Sequence, residues 1–269
     1  FDEALLVYIH LEEIHPGMGK PLLLGTHLRK GDFAAAKEIA DQAVAENPSS
    51  NQGYLYQSAI NEYRSEWSIA EKVMLQGIAA TDGNLTLKIN LARLYTKRGA
   101  NDEALKIYDE LLSEKSDLVP VLFAKAAIYD VEGDKKQAQG LYEKILDMDE
   151  NYAPALNNLA FLLLDVYADN KRALDLASKG FRFKPNDPRI IDTLGYALLK
   201  NGQADKSIVF LKKAANLMPE ETSIKIHLAM AYKESGRYDD AVSTLASINE
   251  SNAQADQLKE AKVLLNQLN

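Results

Sequence analysis

The sequence predicts an all-α chain, a right-handed α-solenoid of about seven 34-residue helix-turn-helix repeats closed by a C-terminal capping helix. Three observations predict it. A small residue follows each short turn at Ala36, Ala70, Ala104, Ala138, Ala173, Ser207 and Ala241, at spacings of 34, 34, 34, 35, 34 and 34. The turn residue five places earlier keeps step at Gly31, Ser65, Gly99, Gly133, Gly202 and Gly236. Apolar residues on both sides of the turns recur at helical spacing. A fixed period of this length is the mark of a stacked repeat array, in which each unit buries its apolar face only against its neighbours.

Residues 2–16, DEALLVYIHLEEIHP, read as the second helix of a preceding repeat whose first helix is missing, so the natural protein is expected to continue upstream of Phe1. Seven repeats then occupy 17–252, starting near 17, 51, 85, 119, 153, 188 and 222. Gly17, Gly19 and Pro21 shorten the first helix of the first repeat. The third repeat shows the pattern in full. Leu85, Ile89, Leu91, Ala92 and Tyr95 share one helical face, and Gly99 stops that helix. Asn101 or Asp102 can then cap a second helix carrying Ala104, Leu105, Tyr108, Leu111 and Leu112. Pro48, Pro185 and Pro219 close second helices. The fifth repeat lacks the turn glycine, and its DVYADNKRA holds the one inserted residue. The apolar run 157–168 is broken by Asp165 and reads as a buried helix, too short to span a membrane. Segment 253–269 reads as one amphipathic helix with a polar outer face, a lid for the last repeat and a native C-terminus.

Gly195 stands inside the first helix of the sixth repeat, where glycine costs about 1 kcal/mol relative to alanine. Its register equivalents are Leu24, Ser58, Ala92, Ala126, Ala160 and Ala229, and five of these six are small. A small residue at one fixed place in every repeat predicts close approach of another helix, so Gly195 reads as a packing residue.

The period, the small–aromatic–small spacing and the closing prolines resemble the tetratricopeptide repeat (TPR) family over about residues 17–252. The resemblance is carried by Leu194-Gly195, Tyr95, Tyr129, Tyr232, the alanine series, Tyr108, Tyr142 and the prolines, with departures at Asn61, Leu198 and Ser207. More narrowly, ALNNLA and NDPRIIDTLGYALLKNGQ within 153–242 are similar to lipoprotein-type bacterial repeat proteins of exopolysaccharide export and PEP-CTERM sorting systems. That resemblance implies a periplasmic or outer-membrane-associated protein, with the cytoplasm as the alternative.

The chain carries −8 net charge, no Cys and four His in 269 residues. An acidic balance disfavours nucleic acid, which selects clustered Lys and Arg. The histidines show no metal-ligand spacing, and no nucleophile or phosphate-loop motif stands in a suitable context. The sequence therefore predicts no enzyme, no cofactor and no metal, and no transmembrane segment in this chain.

The expected function is a non-catalytic scaffold that holds a protein or peptide in a concave groove lined by first helices. Inward places hold Tyr56 and Tyr63, then Asn90, Arg93 and Lys97, then Phe123. Further along they hold Asn157, Asn158 and Phe161, then Asp192, Tyr196 and Lys200, then His227 and Met230. Aromatics supply contact area at low entropic cost, Asn serves an extended backbone, and Arg93 with Lys97 suits a carboxylate. Chaperone-binding members of the family use a Lys/Asn clamp, whose places hold Leu55, Ala59, Asn90, Arg93, Phe123 and Ala127 here, so that clamp is not reproduced. The alternative is a peptide-responsive regulatory array, or a docking domain of a larger regulator or enzyme. A homodimer is also compatible with the apolar side of residues 2–16.

Overall fold

The computed structural model describes residues 1–268. Among them are sixteen α-helices and one π-helical turn, with no strand. The helices are α1 (Asp2–Ile14), α2 (Lys20–Lys30), α3 (Phe33–Glu46), α4 (Asn51–Tyr63), α5 (Trp67–Ala80), α6 (Leu85–Lys97), α7 (Asn101–Glu114) and α8 (Val119–Glu132). They continue as α9 (Lys135–Met148), α10 (Ala153–Leu162), α11 (Asn170–Phe183), α12 (Pro188–Lys200), α13 (Ala204–Leu217), α14 (Thr222–Glu234), α15 (Tyr238–Ala246) and α16 (Ala255–Asn266). The chain is an all-α helical-repeat fold.

Two compact units divide at Ile128 and Tyr129, within α8. In the N-terminal unit α2 packs on α3, α4 on α5 and α6 on α7, with α2 and α3 also meeting α4, and α4 and α5 meeting α6. In the C-terminal unit α10 packs on α11, α12 on α13 and α14 on α15. Helix α16 lies in the segment read as a lid and packs on α14 and α15, where Ala261 and Leu264 join the core of Leu228, Tyr232 and Leu245. Asn269, at the end of that segment, lies outside the described residues.

The turns follow from backbone chemistry. All six turn residues of the period adopt positive φ, including Ser65 at 59°, where a side chain pays a steric penalty that glycine escapes. In the repeat without a turn glycine, Ala168 takes the left-handed place at φ 53°. The inserted residue is absorbed just before it: Leu163–Tyr167 forms a π turn continuing α10, the usual way a helix accommodates one extra residue.

The caps differ from expectation by one position. Asn101 and Asp102 lie inside α7, whose N-cap is Ala100. The same place in other hairpins holds Asp32, Asp134 and Asp169, whose carboxylates accept from the N–H of Ala35, Gln137 and Arg172. Asp102 instead sits in the first turn, where its charge suits the helix dipole.

Gly195 is a packing residue. A Cβ there would lie 2.6 and 2.7 Å from Leu211 side-chain atoms and 3.3 Å from the Leu211 nitrogen on α13. The departure at Ser207 belongs to the same contact, because its buried hydroxyl donates to the Gly195 carbonyl at 2.7 Å. At the other end of the chain Glu12 joins α1 to α2. Its carboxylate accepts from the N–H groups of Gly17, Gly19 and Lys20 at 2.7, 2.8 and 2.9 Å, supplying the first turn of α2 with an acceptor. Partial burial works to raise the Glu12 pKa, but these three donors and the Lys20 charge hold it below the usual carboxylate value.

Candidate functional site

The residues selected from sequence fall into two groups, one in each compact unit. In the N-terminal unit several of them are buried or already engaged. Tyr56 is part of the core with Leu24, Leu28 and Ile60, and its hydroxyl accepts from Gln52 at 2.6 Å. The sequence reading placed it on an open wall, but burial of its ring removes it. Tyr63 is exposed and tilts against Phe33 at 6.0 Å. Asn90 turns its amide back to the Thr86 carbonyl at 2.8 Å. Lys97 is ion-paired with Glu62 at 2.6 Å, so the pair expected to receive a carboxylate is already half engaged. Arg93 is exposed, and Phe123 is half-buried on α8.

The C-terminal unit brings its group together. Helices α10, α12 and α14 stand side by side, and residues four apart on each form parallel stripes. On α12 the stripe is Asp192, Tyr196 and Lys200; on α10 it is Asn157 and Phe161, continued by Asp165 of the π turn. His227 of α14 meets the middle of α12. Its Nδ1 lies 2.9 Å from Asp192 Oδ1, and its ring stacks on Tyr196 with centroids 4.1 Å apart and planes at 12°. Phe161 lies 6.1 Å from the Tyr196 ring and 6.2 Å from His227, and Lys200 Nζ sits 5.1 Å from the Tyr196 centroid. Three rings from three helices, spread over residues 161–227, thus build one aromatic platform.

Asp192, Tyr196 and His227 are each under 8% exposed. Sequence reading had them as open lining; the structure makes them a buried support beneath Phe161, which stays 38% exposed. Burial works against a charged imidazole, but the Asp192 carboxylate, through its charge and its hydrogen bond, and the Glu260 charge from α16 outweigh it, so the His227 pKa is raised above 6.5. Burial raises the Tyr196 pKa, with Lys200 opposing.

The polar edge lies on α10. Asn158 donates to the Tyr142 hydroxyl at 3.0 Å, whose pKa burial pushes up to about 12 against that hydrogen bond. Asn157 donates to Asn158 at 3.3 Å, and its own Oδ1 is buried without a hydrogen-bond partner among the described residues. On the opposite edge, Met230 is half-buried and lines a cleft of about 360 Å³ with Leu199, Lys200, Lys233 and Leu264. Sequence reading missed Asp165 and Glu260, whose charges reach Tyr196. Asp165 was legible as the next step of the Asn157–Phe161 stripe, whereas nothing local in the α16 sequence pointed Glu260 at α14.

Among the described residues no cluster of three or more His, Asp and Glu could hold a metal ion. No helix there is long and apolar enough to cross a membrane.

Helical hairpins in 34-residue register, with left-handed turns and a small residue at the close-crossing place in all but the first, define a helical-repeat protein. The chain carries tetratricopeptide repeats: the tetratricopeptide repeat family matches residues 86–118 and 198–265. It is similar to a TPR repeat-containing protein of Methanocaldococcus jannaschii, 22% identical over 83% of this chain and 41% of that one. It is also similar to the protein O-mannosyl-transferase TMTC1 of Homo sapiens, 25% identical over 55% of this chain and 17% of that protein. The chain thus spans less than half the length of these relatives.

Solved structures share the fold. A chain of the APC/C hetero-tetramer Cut9-Hcn1 superposes with a TM-score of 0.74 at 17% identity, over 98% of this chain and 52% of that one. A tetratricopeptide repeat protein from Parabacteroides merdae gives 0.61 at 18% identity, over 97% and 98%. YrrB, a TPR protein described as having an unusual peptide-binding site, gives 0.52 at 18% identity, over 71% and 97%.

Proposed function

We propose that this chain is a protein-interaction scaffold whose C-terminal unit holds an extended peptide segment of a partner across the faces of α10, α12 and α14. The observation that carries this reading is the convergence of Phe161, Tyr196 and His227 from three helices into one supported platform with a single exposed ring. Rings fixed from beneath offer apolar contact at little conformational cost. Lys200 and Asp165, whose charges both reach Tyr196, bracket the platform with opposite signs. The repeat fold and the peptide-binding site described for YrrB support the same reading. The narrower likeness of ALNNLA and NDPRIIDTLGYALLKNGQ supports a place in the bacterial envelope, which cell fractionation with antibody detection would test.

The test of the binding face is site-specific photocrosslinking. A photoreactive phenylalanine at position 161 should capture a partner, and one at exposed Tyr238 should not. Retention of that partner should fall at least about tenfold in Phe161→Ala, the scale of one lost desolvated contact. Equal capture from both positions, or retention unchanged in Phe161→Ala, would defeat the proposal.

A further inference from the structure

The C-terminal unit has a second concavity on the side of its second helices, unrelated to the platform above. Helices α11 and α13 both pack on α12, and between them opens a cleft of about 760 Å³. Leu194 and Leu198 form its floor, and Leu176, Phe181 and Phe210 its apolar walls. Phe181 and Phe210 meet edge to face at 5.4 Å and 87°, an arrangement that fixes both rings. The size falls within the range of pockets that enclose a ligand. The corresponding cleft between α3 and α5 holds only about 270 Å³.

The rim is basic. Arg172, Lys179 and Arg182 of α11 and Lys206 of α13 surround the cleft, against one acid, Asp175. Arg172 and Lys179 are tied to Glu143 and Glu150 at 2.8 and 3.0 Å. Arg182 and Lys206 pair with no carboxylate among the described residues; Lys206 donates only to the neutral Gln203 oxygen at 2.9 Å. In the smaller cleft the cations are already matched, Lys37 to Asp41 and Arg64 to Glu66. Charge along the chain is just as uneven. Residues 170–213 carry ten Lys and Arg against four Asp, a net of +6, so the remaining residues carry −14 of the chain's −8.

We infer that the α11–α13 cleft is a second docking site, whose occupant is an acidic peptide segment carrying an aromatic or aliphatic side chain. The apolar side chain enters the cleft above Leu194 and Leu198, against the Phe181–Phe210 pair, and flanking carboxylates meet Arg182 and Lys206. Guanidinium groups favour carboxylates through paired donors. A short peptide suits the site better than a polyanion, because the strongly negative remainder of the chain repels an extended anionic surface such as nucleic acid or a lipid bilayer.

Selection of a randomised seven-residue peptide library on the whole chain tests this, followed by fluorescence anisotropy of the enriched peptides. The expected peptides are rich in Asp and Glu around one Phe, Tyr or Leu. Their affinity should fall at least about tenfold in Arg182→Glu with Lys206→Glu, and in Phe210→Ala, and weaken as salt rises. Phe161→Ala should leave it unchanged, which separates this site from the proposed platform. Arg182→Lys, which keeps the charge but not the paired donors, should lose less affinity than the charge reversal, and matched thermal melts of all variants guard against unfolding. Enriched peptides without acidic residues, or peptides bound equally by the charge-reversed variant, would overturn the inference. So would stronger competition by single-stranded DNA or anionic vesicles than by the peptides, or self-association of the chain that the charge reversal abolishes.

Discussion

At the scale of single residues, two contacts turn sequence oddities into energetics. The first is the Asp192–His227 pair. The folded-state pKa of His227 is raised above 6.5, so the stability it contributes is full below about 6.5 and is lost as pH rises through the raised value. Asp192, Glu260, Lys200 and Tyr196 are the charged or titratable groups that set it. The melting temperature should therefore decline on the alkaline side of 6.5, and the difference between the native chain and His227→Gln should isolate that decline. A difference independent of pH would show that the pair does not titrate there. Replacing His227 by Leu strands a buried carboxylate and should cost about 3–5 kcal/mol. The second contact is Gly195 against Leu211. Gly195→Ala should lower stability by about 1–3 kcal/mol in denaturant titration, despite the better helix propensity of alanine, because the methyl group has no room. Ser207→Ala should cost about 1 kcal/mol for the lost hydrogen bond.

At the scale of elements, turns and caps carry separate predictions. Ser65→Gly should stabilise the chain by up to about 1 kcal/mol, since Ser65 holds a left-handed conformation with a side chain attached. Asp32→Ala, Asp134→Ala and Asp169→Ala should each cost about 1 kcal/mol, whereas Asp102→Ala, which caps nothing, should cost under about 0.5 kcal/mol. Urea titrations monitored by circular dichroism would read all of them, and an Asp102 effect as large as the caps would refute the assignment. The elements were legible in the sequence because a period of 34 fixes the register of turn, alanine and small residue at once. The cap was misread by one place because Asn101 and Asp102 are favourable residue types, and only backbone geometry shows that α7 has already begun. The π turn was visible as an inserted residue, but not as a π turn, since insertions in loops and in helices leave the same count.

At the scale of the whole chain, the candidate site was half legible. Periodicity named the places on α10, α12 and α14 that face the same way, and these did come together. It could not say which side chains would reach the surface. Tyr56, Tyr196 and His227 are large enough to fill gaps between adjacent helices, so they became support. Phe161 lies against Tyr196 and His227 and stays exposed. The basic cleft was missed for a related reason: an overall charge of −8 conceals a stretch of opposite sign, and a census by segment would have exposed it.

The Asp192–His227 contact also bears on how such an array can change over generations. A chain of near-identical repeats grows by copying one and inserting it beside the original, and most places tolerate that because every copy presents the same residues to its neighbour. Here the acid belongs to α12 and the imidazole to α14, so the two hairpins are no longer equivalent parts. A copy placed between them would separate the acid from its base and leave a charge buried alone. Their order is held by a single pair of side chains, and a copy inserted between them should fold less stably than one inserted elsewhere in the array.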